Sequence, residues 1–310
     1  MMQISRITIF YTLLFLGAIL APWLGLYPIF LMTLICYALF ACAFNLMLGY
    51  SGMLSFGHAA YFGSSAYITS WLITSNGWTT ISALIVGMLV STLLGLVIGL
   101  IAIRRSGIYF AMITLALAQL VYFVCLQAPF TGGENGIQGV PRGDVLGLFS
   151  LADDTVMYYF VLFIFVFVYL FIQRVVHSPF GQVLKAIREN EPRASSLGYY
   201  AEHHKLLVFV LSSTLAGLAG SLKALVLGFA TLSDVLQSTS GEVILMTMLG
   251  GAGTFFGPVL GSAIVIALQN LLSDRVGSWV TVIIGAIFVI CVMAFRRGIV
   301  GEWLAYQNKK

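Results

Sequence analysis

The chain has 310 residues and a formal net charge of +4; 60% of its residues are hydrophobic and only 8% charged. A soluble globular domain carries about 25% charged residues, so most of this surface must meet lipid, and the length is taken up by one bundle of spans of about 20 residues each. The small positive balance lies in short loops, which marks orientation in a membrane and argues against a nucleic-acid partner.

Apolar runs predict spans at about 7–27, 29–48, 54–74, 79–103, 108–127, 156–176, 206–229 and 279–295. The N-terminal MMQISRITIF has one Arg and then an apolar run. No small-residue cleavage site follows, and Pro22-Trp23 lead into the next run, so an uncleaved first span is expected. The stretch 242–272 is apolar but is cut by LGGAGTFFGP, which predicts two half-helices. The expected fold is an all-α polytopic integral membrane protein with about eight transmembrane helices plus a re-entrant half-helix pair. It is a single transmembrane domain over 1–310, with a cytosolic hairpin at 177–205 inside it. Cys36, Cys42, Cys125 and Cys291 lie in apolar runs and form no CxxC, so they read as small core residues with no metal or disulfide role.

Lys and Arg set the orientation. Arg104 and Arg105 end one span; Arg174, Lys185, Arg188, Arg193 and Lys205 cluster at 173–205; Arg296, Arg297, Lys309 and Lys310 close the chain. The 128–155 loop has Arg142 against Glu134, Asp144, Asp153 and Asp154. The segment 173–205 and the C-terminus are therefore expected in the cytosol, and 128–155 outside. If 206–229 runs outward, the 242–272 stretch must start and end outside, breaking at Gly250–Gly253. That is tolerable only if the freed backbone groups are buried in protein or line a wet cavity. The competing reading is one kinked span with another topology. An internal echo supports the break: LGYSG at 48–52 with Phe56-Gly57, and LGGAG at 249–253 with Phe256-Gly257. Such interruptions in two halves point to a transporter pathway; glycines that let helices pack closely would also explain them.

The segment from His177 to Lys205 is the one concentrated charged interruption. Ser178-Pro179 is a helix start. Val183, Leu184 and Ile187 fall on one face, Gln182, Lys185 and Glu189 on another. Pro192 forces a bend, and a second short helix should end at Gly198. Paired start and stop signals predict a helical hairpin that docks on another subunit; a solvated linker is the alternative.

Polar residues within spans are costly and mark function: Asn45, Ser51, Ser55, His58, Thr114, Gln119, Lys223, Glu242, Gln269 and Asn270. Of these, Asn45, Ser51, Ser55, His58, Gln119 and Glu242, with Gly49, Gly52, Gly57, Gly250, Gly251 and Gly253, are the candidate pathway residues. Lys223 and Glu242 are expected to pair, or Lys223 to snorkel outward. No second metal ligand stands beside His58, which reads as a packing histidine. No GxxxxGK[ST] loop occurs, so ATP, if it drives this chain, is held by another subunit. GYSG at 49–52 has the form of an intramembrane serine protease, but that serine needs a histidine base, and His58 sits about 10 Å further along the segment. A channel or ion-coupled carrier would not explain the hairpin and needs mid-depth carboxylates.

Several motifs together resemble one family. NLMLGYSGMLSFGHAA at 45–60, TGGENGIQGVP at 131–141, SPFGQVLKAIRENEPRASSLGY at 178–199, MLGGAGTFFGPVLGSA at 248–263 and RRGIVG at 296–301 are similar to signatures of permeases of branched-chain amino acid ABC importers. The GHAA element points to the second permease type. The resemblance implies a heterodimer with a second permease subunit, two cytosolic ATPases that bind ATP and Mg while this chain binds no cofactor, and a periplasmic binding protein. It further implies import of leucine, isoleucine and valine across the bacterial inner membrane; close relatives carry urea, short amides or other amino acids. It assigns ATPase coupling to Gly181, Ala186, Arg188, Glu189, Asn190 and Glu191. Two departures stand out: Lys223, where the family has an apolar or aromatic residue, and Phe295-Arg296, where it often has Ala-Pro.

Overall fold

The computed structural model describes residues 17–18, 21–25, 27–145, 149–276, 282–283, 285–287, 289 and 298–307. The predicted spans at 7–27 and 279–295 fall largely outside these residues, as do Cys291, Phe295, Arg296, Arg297, Lys309 and Lys310. The helices are α1 Pro28–Ser51, α2 His58–Asn76, α3 Thr80–Ala102, α4 Ile108–Gln127, α5 Asp154–His177, α6 Pro179–Glu189, α7 Glu191–Ser196, α8 Ala201–Leu227, α9 Gln237–Gly250, α10 Gly257–Val276 and α11 Gly298–Gln307. Among the described residues strand is confined to two-residue pairings, one of which ties Ile137–Gln138 to Phe229–Ala230.

Among the described residues five helices, α1, α3, α4, α5 and α8, are long and apolar enough to cross a membrane. An all-α bundle follows from lipid solvation, since every backbone group inside the bilayer must be satisfied within the protein. The spans divide into inner and outer. The most apolar windows of α1 and α8 are 67% buried, those of α3, α4 and α5 only 33%. α2 joins the inner pair: Tyr61, Phe62, Ser65, Tyr67 and Thr69 are all buried. The outer helices turn Ile85, Leu89, Leu93, Phe123, Phe163 and Phe167 outward, as a lipid-facing flank requires.

Small residues set the inner contacts. A methyl group on Gly220 of α8 would strike the Phe62 carbonyl of α2, and one on Gly217 would strike the Ser91 hydroxyl of α3. With lipid outside as apolar as the side chains inside, close backbone approach and hydroxyl bonds hold such helices together. Thr69 donates to Ser221 at 2.8 Å, Thr92 and Thr214 share a bond of 2.8 Å, and Ser212 donates to the Ala43 carbonyl at 2.6 Å.

Helix starts depart from the predicted spans at α8, which begins at Ala201 where 206 is expected, and at α2. A helix over 54–74 is predicted, yet α2 begins at His58. Gly52, with φ of +74°, ends α1 as a left-handed cap, and its amide donates to the Leu48 carbonyl at 3.1 Å. Residues 53–57 are non-helical, and the Gly57 amide donates to the Ser55 hydroxyl at 3.1 Å. The hydropathy window runs through this linker because Met53, Leu54 and Phe56 are apolar.

One end of the bundle carries the charged 178–198 hairpin and is called here the cationic end. The turn after α1 lies there, since a methyl on Gly52 would touch Arg188. The turn between α9 and α10 lies there too, with Gly253 against the Arg188 guanidinium and Gly49. Gly298, at the start of α11, packs on Gly251, which brings the C-terminal helix to the same end. The 128–155 loop sits at the other, where Arg142 donates to the Val226 carbonyl near the finish of α8 at 2.7 Å.

α9 and α10 form an antiparallel pair. Gly250 faces the Gly257 carbonyl and Gly261 faces the Met246 carbonyl, so α10 runs back alongside α9. The stretch starts and ends on one side, as the charge pattern predicts, but its break reaches the cationic end of the bundle. α10, at 20 residues, is about 30 Å long, a full span's length where a half-helix is expected. Overpacking at a close approach costs about 1–3 kcal/mol. Gly220→Ala should therefore lower the thermal stability of the solubilised chain, followed by fluorescence size-exclusion, while Gly241→Ala, into open space, should leave it unchanged.

Candidate functional site

The site grows from the two glycine breaks. Asn45 sits on α1 two turns before its end, 3% exposed. Its Oδ1 accepts from the Gly253 amide at 2.8 Å and its Nδ2 donates to the Thr254 carbonyl at 2.9 Å. One buried side chain thus satisfies a donor and an acceptor that the α9–α10 break frees from helical pairing. Gly49, one turn on, leaves the room for this: a methyl there would collide with Asn45 Oδ1 and Gly253. At the break itself Gly251 and Gly253 adopt φ of +120° and +82°, which side chains disfavour. Thr254 closes the turn, its hydroxyl donating to the Gly251 carbonyl at 2.7 Å and accepting from the Gly257 amide at 3.1 Å.

The hairpin attaches at the same place. Ser178 caps α6 and Asn190 caps α7, accepting from the Arg193 amide at 3.0 Å. Gly198, with φ of +92°, follows the second helix where the stop signal is expected. Leu184 and Ile187 are buried and Val183 half-buried, so the predicted apolar face packs inward. Arg188 Nη1 donates to the Gly49 carbonyl, reaching the helix end at which both breaks meet. Glu191 accepts from Lys205 at 2.6 Å, fastening α7 to the start of α8. His177 stacks on Phe255 of the α9–α10 break at 5.1 Å between ring centroids.

The predicted site residues separate into groups. Asn45, Gly49, Gly52, Gly250, Gly251, Gly253 and Arg188 converge. Ser55 and Gly57 form the second break beside α4, where a methyl on Gly57 would meet the Thr114 carbonyl. His58 is fully buried and its Nε2 lies 2.9 Å from Ser212 Oγ. Since Ser212 donates to Ala43, the imidazole N–H donates to Ser212. Rings of Phe44, Tyr61 and Phe209 pack edge-on around His58, as a packing histidine requires. Ser51 donates to the Met47 carbonyl at 2.6 Å and makes no bond to His58, so the serine-protease pairing is absent. Gln119 is half-buried on α4 and joins none of these bonds. Glu242 is half-buried within hydrogen-bond reach of Gln269, about 12 Å along α9 from Gly250.

In the hairpin, Gly181 is buried against the Val176 carbonyl, so its small size serves packing inside the chain. Ala186, Glu189 and Asn190 are exposed. Among the described residues no three His, Cys, Asp or Glu side chains group as metal ligands.

The expected pairing of Lys223 with Glu242 is corrected. Lys223 Nζ contacts both Asp234 carboxylate oxygens at 2.8 Å, with the two side chains 4% and 5% exposed. Phe229 lies under the ammonium at 4.6 Å, and the Thr231 amide donates to Asp234 at 3.2 Å. Snorkelling is unnecessary because the connector after α8 folds back over the lysine. Sequence reasoning passed over Asp234, which lies in that connector and not in an apolar run. The available signal was Thr231 three residues before Asp234, a capping box across a short turn. Lys205 was likewise counted only for orientation.

Comparison with known proteins gives the family. Residues 27–292 match the family described as branched-chain amino acid transport system / permease component. The chain belongs to this family. The permease is 27% identical over 291 residues to the high-affinity branched-chain amino acid transport system permease protein LivM of Salmonella typhimurium, covering 86% of this chain and 68% of that protein. It is 26% identical to LivM of Escherichia coli, covering 85% and 67%. A probable branched-chain amino acid transport permease protein LivM of Methanocaldococcus jannaschii is 28% identical, covering 81% and 79%. No solved structure matches this chain.

Breaking a buried ion pair by removing one partner costs about 3–5 kcal/mol, whereas replacing both by apolar groups is close to neutral. Lys223→Met should therefore destabilise the permease strongly, and Lys223→Met with Asp234→Leu should recover most of the loss in a thermal-shift double-mutant cycle. Asn45→Ala strands two backbone groups at about 1–3 kcal/mol each. It should raise the reactivity of a cysteine placed at Thr254 toward water-soluble thiol reagents.

Proposed function

We propose that this permease is one membrane subunit of an ATP-binding-cassette importer that moves leucine, isoleucine and valine across the bacterial inner membrane. A second permease subunit completes the bundle, two cytosolic ATPases bind ATP and Mg, and a periplasmic binding protein delivers the solute to the 128–155 side. The cationic end, with the 178–198 hairpin and the C-terminal helix, faces the cytosol, in keeping with the excess of Lys and Arg there.

One observation carries the mechanism. Arg188, on the hairpin, bonds the Gly49 carbonyl where Asn45 and Gly253 also meet. Force applied to the exposed side of α6 and α7 by a closing ATPase pair thus reaches both glycine breaks through one side chain. Ala186, Glu189 and Asn190 offer the outward contact; Arg188 and Glu191 transmit inward. The antiparallel α9–α10 pair shifts against α1, and the bundle alternates between its two openings. The permease does no covalent chemistry in this scheme. A branched-chain cargo is supported by the family and by the names of the relatives. It is also supported by the burial of Lys223 against Asp234, which neutralises a charged feature at odds with an aliphatic solute.

The test is uptake of labelled leucine into vesicles holding the full set of subunits. Arg188→Glu should cut uptake by about tenfold or more, the loss of a charge-assisted hydrogen bond, while insertion and assembly persist. Unchanged uptake in that variant would refute the transmission route. Concentrative uptake by this chain alone would refute the importer assignment.

A further inference from the structure

A cavity of about 630 Å³ opens at the cationic end beside the breaks. One wall is the hairpin, through Ile187, Arg188 and Glu191; another is the turn from α3 into α4, through Arg105, Ser106 and Gly107. Lys205 completes the polar side. Three cations thus face one carboxylate, and that carboxylate, Glu191, is already engaged by Lys205. The Arg105 side chain makes no hydrogen bond or ion pair among the described residues, and it is exposed. Beside it α4 begins after Gly107 with no side-chain cap. Its first amides are left unpaired, with the positive end of the helix dipole behind them.

The rest of the lining is apolar: Met53, Phe110 and Leu115 lie within, and Ile108 and Met112 stand at the mouth. Ile108 is 77% and Met112 61% exposed, on the flank of α4 that continues through Leu120, Phe123 and Val124. The cavity is therefore cationic at the level of the helix ends and apolar along the span, with the exposed Ile108 and Met112 of α4 on its apolar rim. That is the polarity profile of one bilayer leaflet. Basic recesses between spans at this depth suit anionic lipid head groups.

We propose that this cavity holds an anionic phospholipid. Its phosphate sits against Arg105 and the start of α4, with Arg188 and Lys205 flanking it, and one acyl chain lies along Ile108, Met112 and Leu115. Because the hairpin is one wall, a bound lipid ties the α3–α4 turn to α6 and biases the hairpin's position. Lipid occupancy and hairpin position are then linked reciprocally. A free amino acid shares the aliphatic tail but carries an ammonium beside its carboxylate, which a recess with three cations disfavours; the anionic phosphate and the exposed apolar rim of α4 favour the phospholipid.

The experiment uses the assembled transporter, stripped of lipid in mild detergent and titrated with phosphatidylglycerol or phosphatidylcholine under native mass spectrometry. Phosphatidylglycerol should be retained in preference. Arg105→Ala should weaken its binding about fivefold, the attraction of one basic residue for an anionic lipid surface. Met112→Trp, which fills the tail channel and spares every charge, should weaken it as well. Added leucine should leave the lipid in place. Equal affinity for the two lipids, no retained lipid in the assembly, wild-type binding by either variant, or displacement by leucine would each overturn the proposal; the last would assign the cavity to the transported solute. The assembly used rests on the importer reading; apart from displacement by leucine, these outcomes leave leucine uptake untouched, so the lipid site and the importer assignment can fail separately.

Discussion

The architecture depends on how two helix-breaking turns are held together at one end of the bundle. A break frees amides and carbonyls that need partners wherever they are buried. Here the primary amide of Asn45 supplies one acceptor and one donor to the α9–α10 turn, from a helix some two hundred residues earlier in the chain (|i−j| of 208 and 209). The carbonyl of Gly49, one turn along the same helix, is taken by Arg188. Together with the packing of α9 and α10 on α1, these bonds fix the turn against α1 and bring the two breaks to one end of the bundle.

That shared end gives physical meaning to the internal echo of LGYSG and LGGAG. Each precedes a turn: α1 into α2 in one case, α9 into α10 in the other. The glycines act in two different ways. Gly52, Gly251 and Gly253 turn the chain through left-handed backbone, whereas Gly49 and Gly250 clear space for a neighbouring backbone. Spacing alone does not separate these roles, because both ask for the absence of a Cβ.

Charge and hydroxyl groups are distributed unequally along the bundle. The described ion pairs sit near its ends: Glu191 with Lys205 at the cationic end, Arg142 with Asp154 and Lys223 with Asp234 at the other. Between the ends, helices touch through Ser65, Thr69, Thr92, Ser212 and Ser221. Hydroxyl bonds of this kind are worth about 1 kcal/mol in membranes and re-form readily after a small slide.

Much of this was legible in the linear chain: the all-α class, the main spans, the caps at Ser178 and Gly198, the grouping of the charged segment with the C-terminus, and the family itself. These rest on interactions a few residues long, or on hydropathy averaged over a span, and the order of residues specifies such interactions directly. What the order of residues left open was the choice of partner. Lys223 takes Asp234 in place of Glu242, Glu191 is held by Lys205, Gly181 is hidden against Val176, and the α9–α10 break reaches the cationic end. Each depends on which helix surfaces come within a hydrogen bond's length of each other. That proximity is a property of the packed bundle, set by where glycines and hydroxyls let backbones approach, and it exists only once the helices have met.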